Sequence, residues 1–506
     1  IKNSSLKLFN LHTLRDSVLV LFFIMGTLKK ESLKYTIISY CGYLIGILST
    51  IFLYTSNLEF YGTLRYILAI SLLLSSFFSL GLNATIVKLY NVLKNNKYIN
   101  GFLSFSAVAI ILFSLFSYLF SKYFLFNFDF VNFWNLKNYI FPLICLYSLN
   151  SLFYSFLANF YITAIPNIFD SVFPKINTIF CFLFFMYTKE LKTSLLLFVV
   201  LTLISTFILY LFMQKKTHFN IDFNFTFLND FYLKKEIINF SIFSLCNGFL
   251  YATISQIGMI ILGEAGDLKA NGLYAILLSI IGLINIPLLA ISKSSIPLIS
   301  DYIDNKKIKE LGVFYKKSSL YLFFIGSFLF LIIATNFDAL FTILQKKELV
   351  GNFYVIVVIG ISLLIDLLTG INGNIINRSH YYKFNTIFIA ITASISFIVS
   401  YFLIIKLDYG IIGAAISTFV SMLVYNIFKL IFNYKKFNIS PFSKAMIPLI
   451  ILIGIMIFFN HYLVFEQLNN PMYYIILNST SIILFYILIN YFFKIINIKQ
   501  IINFVK

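Results

Sequence analysis

Apolar runs of about 20 residues follow one another along the whole 506-residue chain, separated by short polar connections. Each is long enough to cross a hydrocarbon layer of about 30 Å as a helix. Fourteen can be bounded, at 35–56, 64–88, 101–121, 139–161, 168–187, 193–213, 238–262, 272–298, 318–338, 352–376, 384–405, 410–433, 443–464 and 473–493. The longest connections, 122–138, 214–237 and 300–317, cannot house an independent domain. The pattern predicts an all-α polytopic membrane protein with about 14 transmembrane helices.

An internal duplication organises these spans. Lys30-Glu31, Tyr35-Thr36-Ile37-Ile38-Ser39-Tyr40-Cys41 and Leu44-Ile45 recur as Lys235-Glu236, Phe240-Ser241-Ile242-Phe243-Ser244-Leu245-Cys246 and Phe249-Leu250, offset by 235 − 30 = 205 positions. Six spans separate the starts of the two copies, so both enter the membrane from the same side, as parallel repeats do. The expected organisation is two parallel six-helix bundles, 25–215 and 235–435, enclosing a central cavity, with 443–493 forming two additional helices. Residues 1–24 read as a non-native or unstructured extension ahead of a start at Met25, a signal peptide being the other reading.

Charge refines this picture without changing it. Hydrophobic residues make up 60% of the chain and charged ones 11%, against about 25% charged in soluble domains. The 38 Lys and Arg exceed the 19 Asp and Glu, but the basic residues sit in short loops, which marks topology and not nucleic-acid binding. From Met25 onward the loops of one side carry 25 Lys and Arg, Lys429 counted among them, and those of the other side carry 9. The positive-inside rule therefore puts both termini in the cytoplasm. Trp134, the only tryptophan, lies in an aromatic-rich connection suited to the opposite interface.

Enzyme signatures are missing. There is no Gly-Lys dipeptide and hence no Walker A loop, and the four histidines and four cysteines are dispersed. No metal site, disulfide framework or cofactor is implied. Transport is favoured over catalysis.

The candidate chemistry lies in polar residues inside the spans. A carboxylate at the bilayer centre costs about 2.5–3.5 kcal/mol on insertion scales, so it faces a cavity or a partner. Asp366 is the one acid well inside a predicted span, followed by Asn372, Asn374 and Asn377 with Gly370 and Gly373. It is either a protonatable or cation-binding group used in coupling, with proton or sodium as the ion, or a structural hydrogen-bonding residue. Lys293, between Pro287 and Pro297, either meets an anionic head group or snorkels to the interface. Arg65 and Lys175 face the same choice; Arg65 has the fork geometry that suits phosphate and is one of only three arginines. Asn83, Asn247 and Gln256 serve either as cavity lining or as interhelical hydrogen bonds. Gly42 and Gly46 form a small-xxx-small pair, most simply a close helix contact.

Several motifs carry a family resemblance. Leu58-Glu59-Phe60-Tyr61-Gly62 leading to Ser79-Leu80-Gly81-Leu82-Asn83-Ala84-Thr85 is similar to the first hairpin of Wzx-type oligosaccharide flippases, within the multidrug/oligosaccharidyl-lipid/polysaccharide (MOP) exporter superfamily. Gly272-Leu273-Tyr274-Ala275, running on to Ile296-Pro297-Leu298-Ile299-Ser300, resembles the matching element of the second half, and Gly410-Ile411-Ile412-Gly413-Ala414-Ala415 the opening of span twelve. Many members of that family carry an Asp in span seven where this chain has Gln256, which puts a coupling role at that position in question.

The resemblance implies a substrate and a setting. The substrate is a polyprenyl-pyrophosphate-linked oligosaccharide for surface polysaccharide such as O-antigen and lipopolysaccharide, moved across the bacterial cytoplasmic (inner) membrane. Membrane lipids, a polysaccharide polymerase and glycosyltransferases are the implied partners. The alternatives of the same architecture are a cation-coupled multidrug exporter and a peptidoglycan-precursor flippase.

Overall fold

The computed structural model describes residues 34–35, 37–124, 131–160, 162–462, 470–493 and 495. Residues 1–24, Lys30, Glu31 and Thr36 lie outside the described residues. Among the described residues there is no strand. Twelve helices are long and apolar enough to span a bilayer: α1 (Ile37–Ser56), α2 (Leu58–Phe78), α3 (Ile99–Ser121), α4 (Val131–Ala158), α5 (Ala164–Thr188), α6 (Leu191–Thr217), α7 (Phe231–Glu264), α8 (Leu268–Asp304), α9 (Ile308–Ile343), α11 (Tyr382–Lys406), α12 (Gly410–Phe437) and α14 (Pro471–Phe493). The bent pair Phe353–Thr369 and Asn372–Arg378, α10, makes a thirteenth span, and Met446–Phe459, α13, is a shorter apolar helix. Each expected apolar run thus coincides with a helix, and the chain is an all-α polytopic membrane protein.

Capping shifts several boundaries. The Asn57 side chain accepts from the Phe60 amide at 2.9 Å, so α2 starts six residues earlier than hydropathy alone places it. It stops at Phe78 because Leu80 and Gly81 adopt positive φ (53° and 68°), and the rest of the expected span becomes a short separate helix, Leu82–Lys88. Asp230 caps α7 by accepting from the amides of Tyr232 and Leu233, and Asp267 caps α8 through Ala270.

The chain forms two compact units. One comprises the described residues of Ile1–Gly46, Ser75–Phe126 and Phe141–Leu245. Its core joins Leu82, Ile86, Phe102, Ile110, Phe156 and Met213, and Phe227 from the α6–α7 connection packs edge-on against Phe102. Gly42 and Gly46 of α1 make the close contact expected of them. A side chain at Gly42 would strike the Ser171 carbonyl, and one at Gly46 the Lys175 stem.

The other unit comprises the described residues of Ile47–Leu74, Asn127–Ile140 and Cys246–Lys506. Here α2 and α8 cross with their backbones touching. A Cβ on Gly62 would lie 1.7 Å from the Leu268 carbonyl oxygen, and one on Gly272 would lie 2.1 Å from that of Leu58. The Asn271 amide also donates to the Gly62 carbonyl at 3.1 Å. The two glycines of the repeated motifs therefore meet each other. In the same unit α14 is tied to α9 by polar contacts, with Asn478 donating to Thr335 at 2.7 Å and Tyr486 to Ser327 at 2.7 Å.

A candidate functional site at the bend of α10

Asp366 is the fourteenth residue of α10, about 21 Å along it at 1.5 Å per residue, and three residues before the helix breaks at Thr369. Gly370, at φ +57°, turns the chain there. The helix axis bends by 50° there. A side chain on Gly370 would also meet Ser319 of α9, so glycine is required both by the left-handed backbone and by the space.

The break is filled by polar side chains of α12. Tyr425, Asn426, Lys429 and Asn433 follow one another at spacings of one, three and four residues. The last three lie on one face of the helix. Asn426, Lys429 and Asn433 are all buried. Lys429 Nζ stands 3.8 Å from Asp366 Oδ1, with side chains 5% and 22% exposed respectively. Asn426 donates to the same oxygen at 3.2 Å. Its own amide oxygen accepts from Thr369 at 2.7 Å and from Asn372 at 3.0 Å. Asn433 donates to the Asn372 carbonyl at 3.2 Å, satisfying a backbone group in the bent segment that would otherwise be lost to the helix ladder.

Aromatic rings complete the charge centre. Lys429 Nζ lies 3.8 Å from the Tyr425 ring centroid, a cation–π contact worth about 2 kcal/mol when desolvated. The phenols of Tyr425 and of Tyr251 on α7 are within electrostatic range of Asp366. Tyr425 also donates to Asn385 at 3.1 Å, and Asn385 donates to Asn377 at 2.8 Å. At 3.8 Å and an effective dielectric of about 20, the attraction between the two charges is about 4 kcal/mol. This offsets a large part of the cost of holding both away from water.

The other candidates are dispersed. Lys293 is exposed on α8, and its neighbour Ser292 accepts from Asn374 through both its carbonyl and its hydroxyl at 2.8 Å. Arg65 is half-buried on α2. Its guanidinium reaches the Met259 thioether at 3.8 Å, and its buried Nε has no hydrogen-bond partner. Gln256 is half-buried and donates to Ser255 at 3.3 Å, while Asn247 is half-buried on the same helix, α7. In the first unit, Asn83 donates to Ser151 at 2.7 Å. Lys175 donates to the Ser171 carbonyl at 3.3 Å and sits 5.4 Å from the Tyr43 ring centroid.

Two groups differ from the sequence expectation. Lys429, counted among the loop lysines that set topology, is instead buried within α12. Its signal was present in the Asn426, Lys429, Asn433 stripe inside an apolar helix, whose true terminal cations are Lys435 and Lys436. Glu264, outside the expected span, is the last residue of α7, because that helix runs two residues beyond the expected boundary. It accepts from the Tyr66 hydroxyl, from the Phe133 amide at 3.0 Å and from the Asn132 amide at 3.3 Å. These amides open α4, so Glu264 supplies from another helix the negative charge favoured at a helix N-terminus.

Comparison with known proteins bears on the fold. No family model matches the chain, and no curated protein matches it. Among solved structures it is similar to the lipid II flippase MurJ in its inward closed conformation, with a TM-score of 0.68 at 15% identity over 91% of this chain and 98% of that one. The two chains share their fold. An inward-facing multidrug resistance MATE transporter of the superfamily is similar with a TM-score of 0.59 at 12% identity, covering 78% of this chain and 94% of that one. A superfamily transporter from Pyrococcus furiosus, reported to have a binding pocket of reversed polarity, gives 0.53 at 12% identity over 81% and 96%. These neighbours are transporters and flippases, and the fold shared with them together with the apolar spans makes this chain a multi-pass membrane protein.

Proposed function

We propose that the chain is a flippase moving a polyprenyl-pyrophosphate-linked oligosaccharide across the bacterial cytoplasmic membrane by alternating access of its two six-helix halves, 25–215 and 235–435, with both termini cytoplasmic. The observation that carries this reading is coverage. The lipid II flippase structure matches 91% of this chain, against 78% for the MATE transporter, while nearly the full length of each neighbour is used. The part of this chain without a MATE counterpart is thus largely matched in a protein that handles a lipid-linked substrate.

Charge composition supports an anionic substrate. A cationic-drug exporter calls for acidic residues in its binding cavity, whereas here Arg65, Lys175 and Lys293 supply cations, and Asp366 is already neutralised by Lys429. In this reading Arg65, Lys175 and Lys293 contact the pyrophosphate, and Asn83, Asn247 and Gln256 contact the sugars. Polymerase and glycosyltransferases of surface polysaccharide synthesis act on either side of the same step. A peptidoglycan-precursor flippase is the second reading, favoured by the same structural match and by the pyrophosphate the two substrates share.

The test is a deletion strain assayed for surface glycan and for polyprenyl-linked intermediates. Loss of surface polysaccharide with intermediates held on the inner leaflet is the expected result. Arrested wall synthesis with normal surface glycan selects the precursor flippase. New sensitivity to cationic dyes, with both polymers unchanged, overturns the proposal.

A further inference from the structure

Asp366 is the mid-span carboxylate at which a coupling cation is expected, and the cluster around it leaves little for such an ion to do. The groups facing it are Thr369 and Asn372 of α10, Tyr425, Asn426, Lys429 and Asn433 of α12, and Tyr251 of α7, with Tyr315 and Ser319 of α9 buried nearby along the bend. Asp366 is the only acid among them and Lys429 the only base, so the cluster carries no net charge. The Asn426 amide donates to one carboxylate oxygen, and the Lys429 ammonium stands 3.8 Å from that same oxygen as its ion-pair partner. The Tyr425 ring, four residues earlier on the same helix, lies 3.8 Å from the ammonium. The lysine stem also runs past Gly373, a Cβ on which would lie 3.8 Å from its Cδ, in ordinary van der Waals contact.

We propose that Lys429 is a tethered counter-ion. Its ammonium occupies the position at Asp366 that a soluble monovalent cation, sodium or a proton, would take, and the α10–α12 centre binds no such cation while the pair is closed. A second positive charge at Asp366 would be repelled by an ammonium that cannot leave the chain, and the Asn426 hydrogen bond already on Oδ1 would have to give way. Charge neutrality of the bent helix is thereby built into the covalent structure and does not depend on the ions of either compartment. This inference goes beyond the substrate reading and stands whichever lipid-linked substrate the chain carries.

The experiment is thermal unfolding of the purified full-length chain, in sodium chloride against choline chloride at matched ionic strength, and in a parallel pH series. Wild type is compared with Lys429→Met and with the double variant Asp366→Asn/Lys429→Met. The wild-type Tm is expected to show no sodium-specific shift. Lys429→Met gains a Tm rise that saturates either with sodium or on acidification, the two series telling which cation the vacated carboxylate takes. The double variant loses that rise. If Lys429→Met does not yield a folded chain, Lys429→Gln, which keeps a donor near Asp366, is measured in its place, alongside radiolabelled sodium binding to the wild type. A sodium-specific rise in the wild type that Asp366→Asn abolishes overturns the proposal. So does a folded Lys429 variant that gains no response to either cation. Neither readout involves transport, so failure here is distinguishable from failure of the flippase reading.

Discussion

Breaking the Asp366–Lys429 pair from each side gives a stability test whose size follows from the structure. Asp366→Asn leaves an ammonium whose side chain is only 5% exposed without its counter-charge. The lost attraction is about 4 kcal/mol at 3.8 Å and an effective dielectric of about 20, in keeping with the roughly 3–5 kcal/mol cost of removing one partner from a buried pair. Lys429→Met is expected to cost less, about 2–3 kcal/mol, because Asp366 is 22% exposed and keeps the Asn426 hydrogen bond. Asp366→Asn/Lys429→Met together leave no stranded charge and should lie within about 1–2 kcal/mol of wild type. A double-mutant cycle measured by reversible chemical unfolding in mixed micelles should therefore return a coupling energy of about 3 kcal/mol or more. A coupling below about 0.5 kcal/mol, the level of independent sites, would refute the claim that the two charges hold each other in the bilayer.

Three further outcomes are expected. Glu264→Gln, which removes the negative charge at the start of α4, should lower stability by roughly 1–2 kcal/mol, and hydrogen exchange should locate the loss in the amides of Asn132 and Phe133; uniform exchange along α4 would count against it. Gly62→Ala or Gly272→Ala places a methyl group against a backbone carbonyl that no rotamer change can relieve, and should cost at least about 1–3 kcal/mol, read as reduced yield and Tm, whereas Gly266→Ala, with open space around it, should show only the smaller cost of its positive φ. Gly370→Ala should be destabilised by about 1–2 kcal/mol through φ alone, with added cost from the Ser319 contact, and a Tm equal to wild type would mean that the bend does not depend on a left-handed residue.

Much of the fold could be read from hydropathy because a bilayer leaves a helix few alternatives. The fourteen apolar runs all became helices, and the pair Gly42 and Gly46 did mark a close approach. What hydropathy could not supply was the identity of neighbours. Glu264 escaped notice because its partners, Tyr66 and the Asn132 and Phe133 amides, are more than 130 residues away in the chain. Lys429 was read as a loop cation because a lysine four residues from an expected helix end looks the same whether it snorkels or turns inward; only the polar stripe of Asn426 and Asn433 on its own face separates the two. Asp366 was identified from insertion cost, but cost alone does not say whether the partner is a solute ion, an amide or a lysine.

The crossing of α2 and α8 has a consequence for the proposed lipid-linked substrate. With Gly62 and Gly272 in place, the carbonyls of Leu58 and Leu268 press directly onto the opposite backbone, and at that level the seam between the two helices is narrower than any methyl group. A prenyl chain cannot slip sideways through it, however the rest of the molecule rearranges, unless the backbones themselves separate. At the Leu58 end of α2 and the Leu268 end of α8 this is a closed weld, so a substrate with a hydrocarbon tail, as proposed above, would have to enter elsewhere.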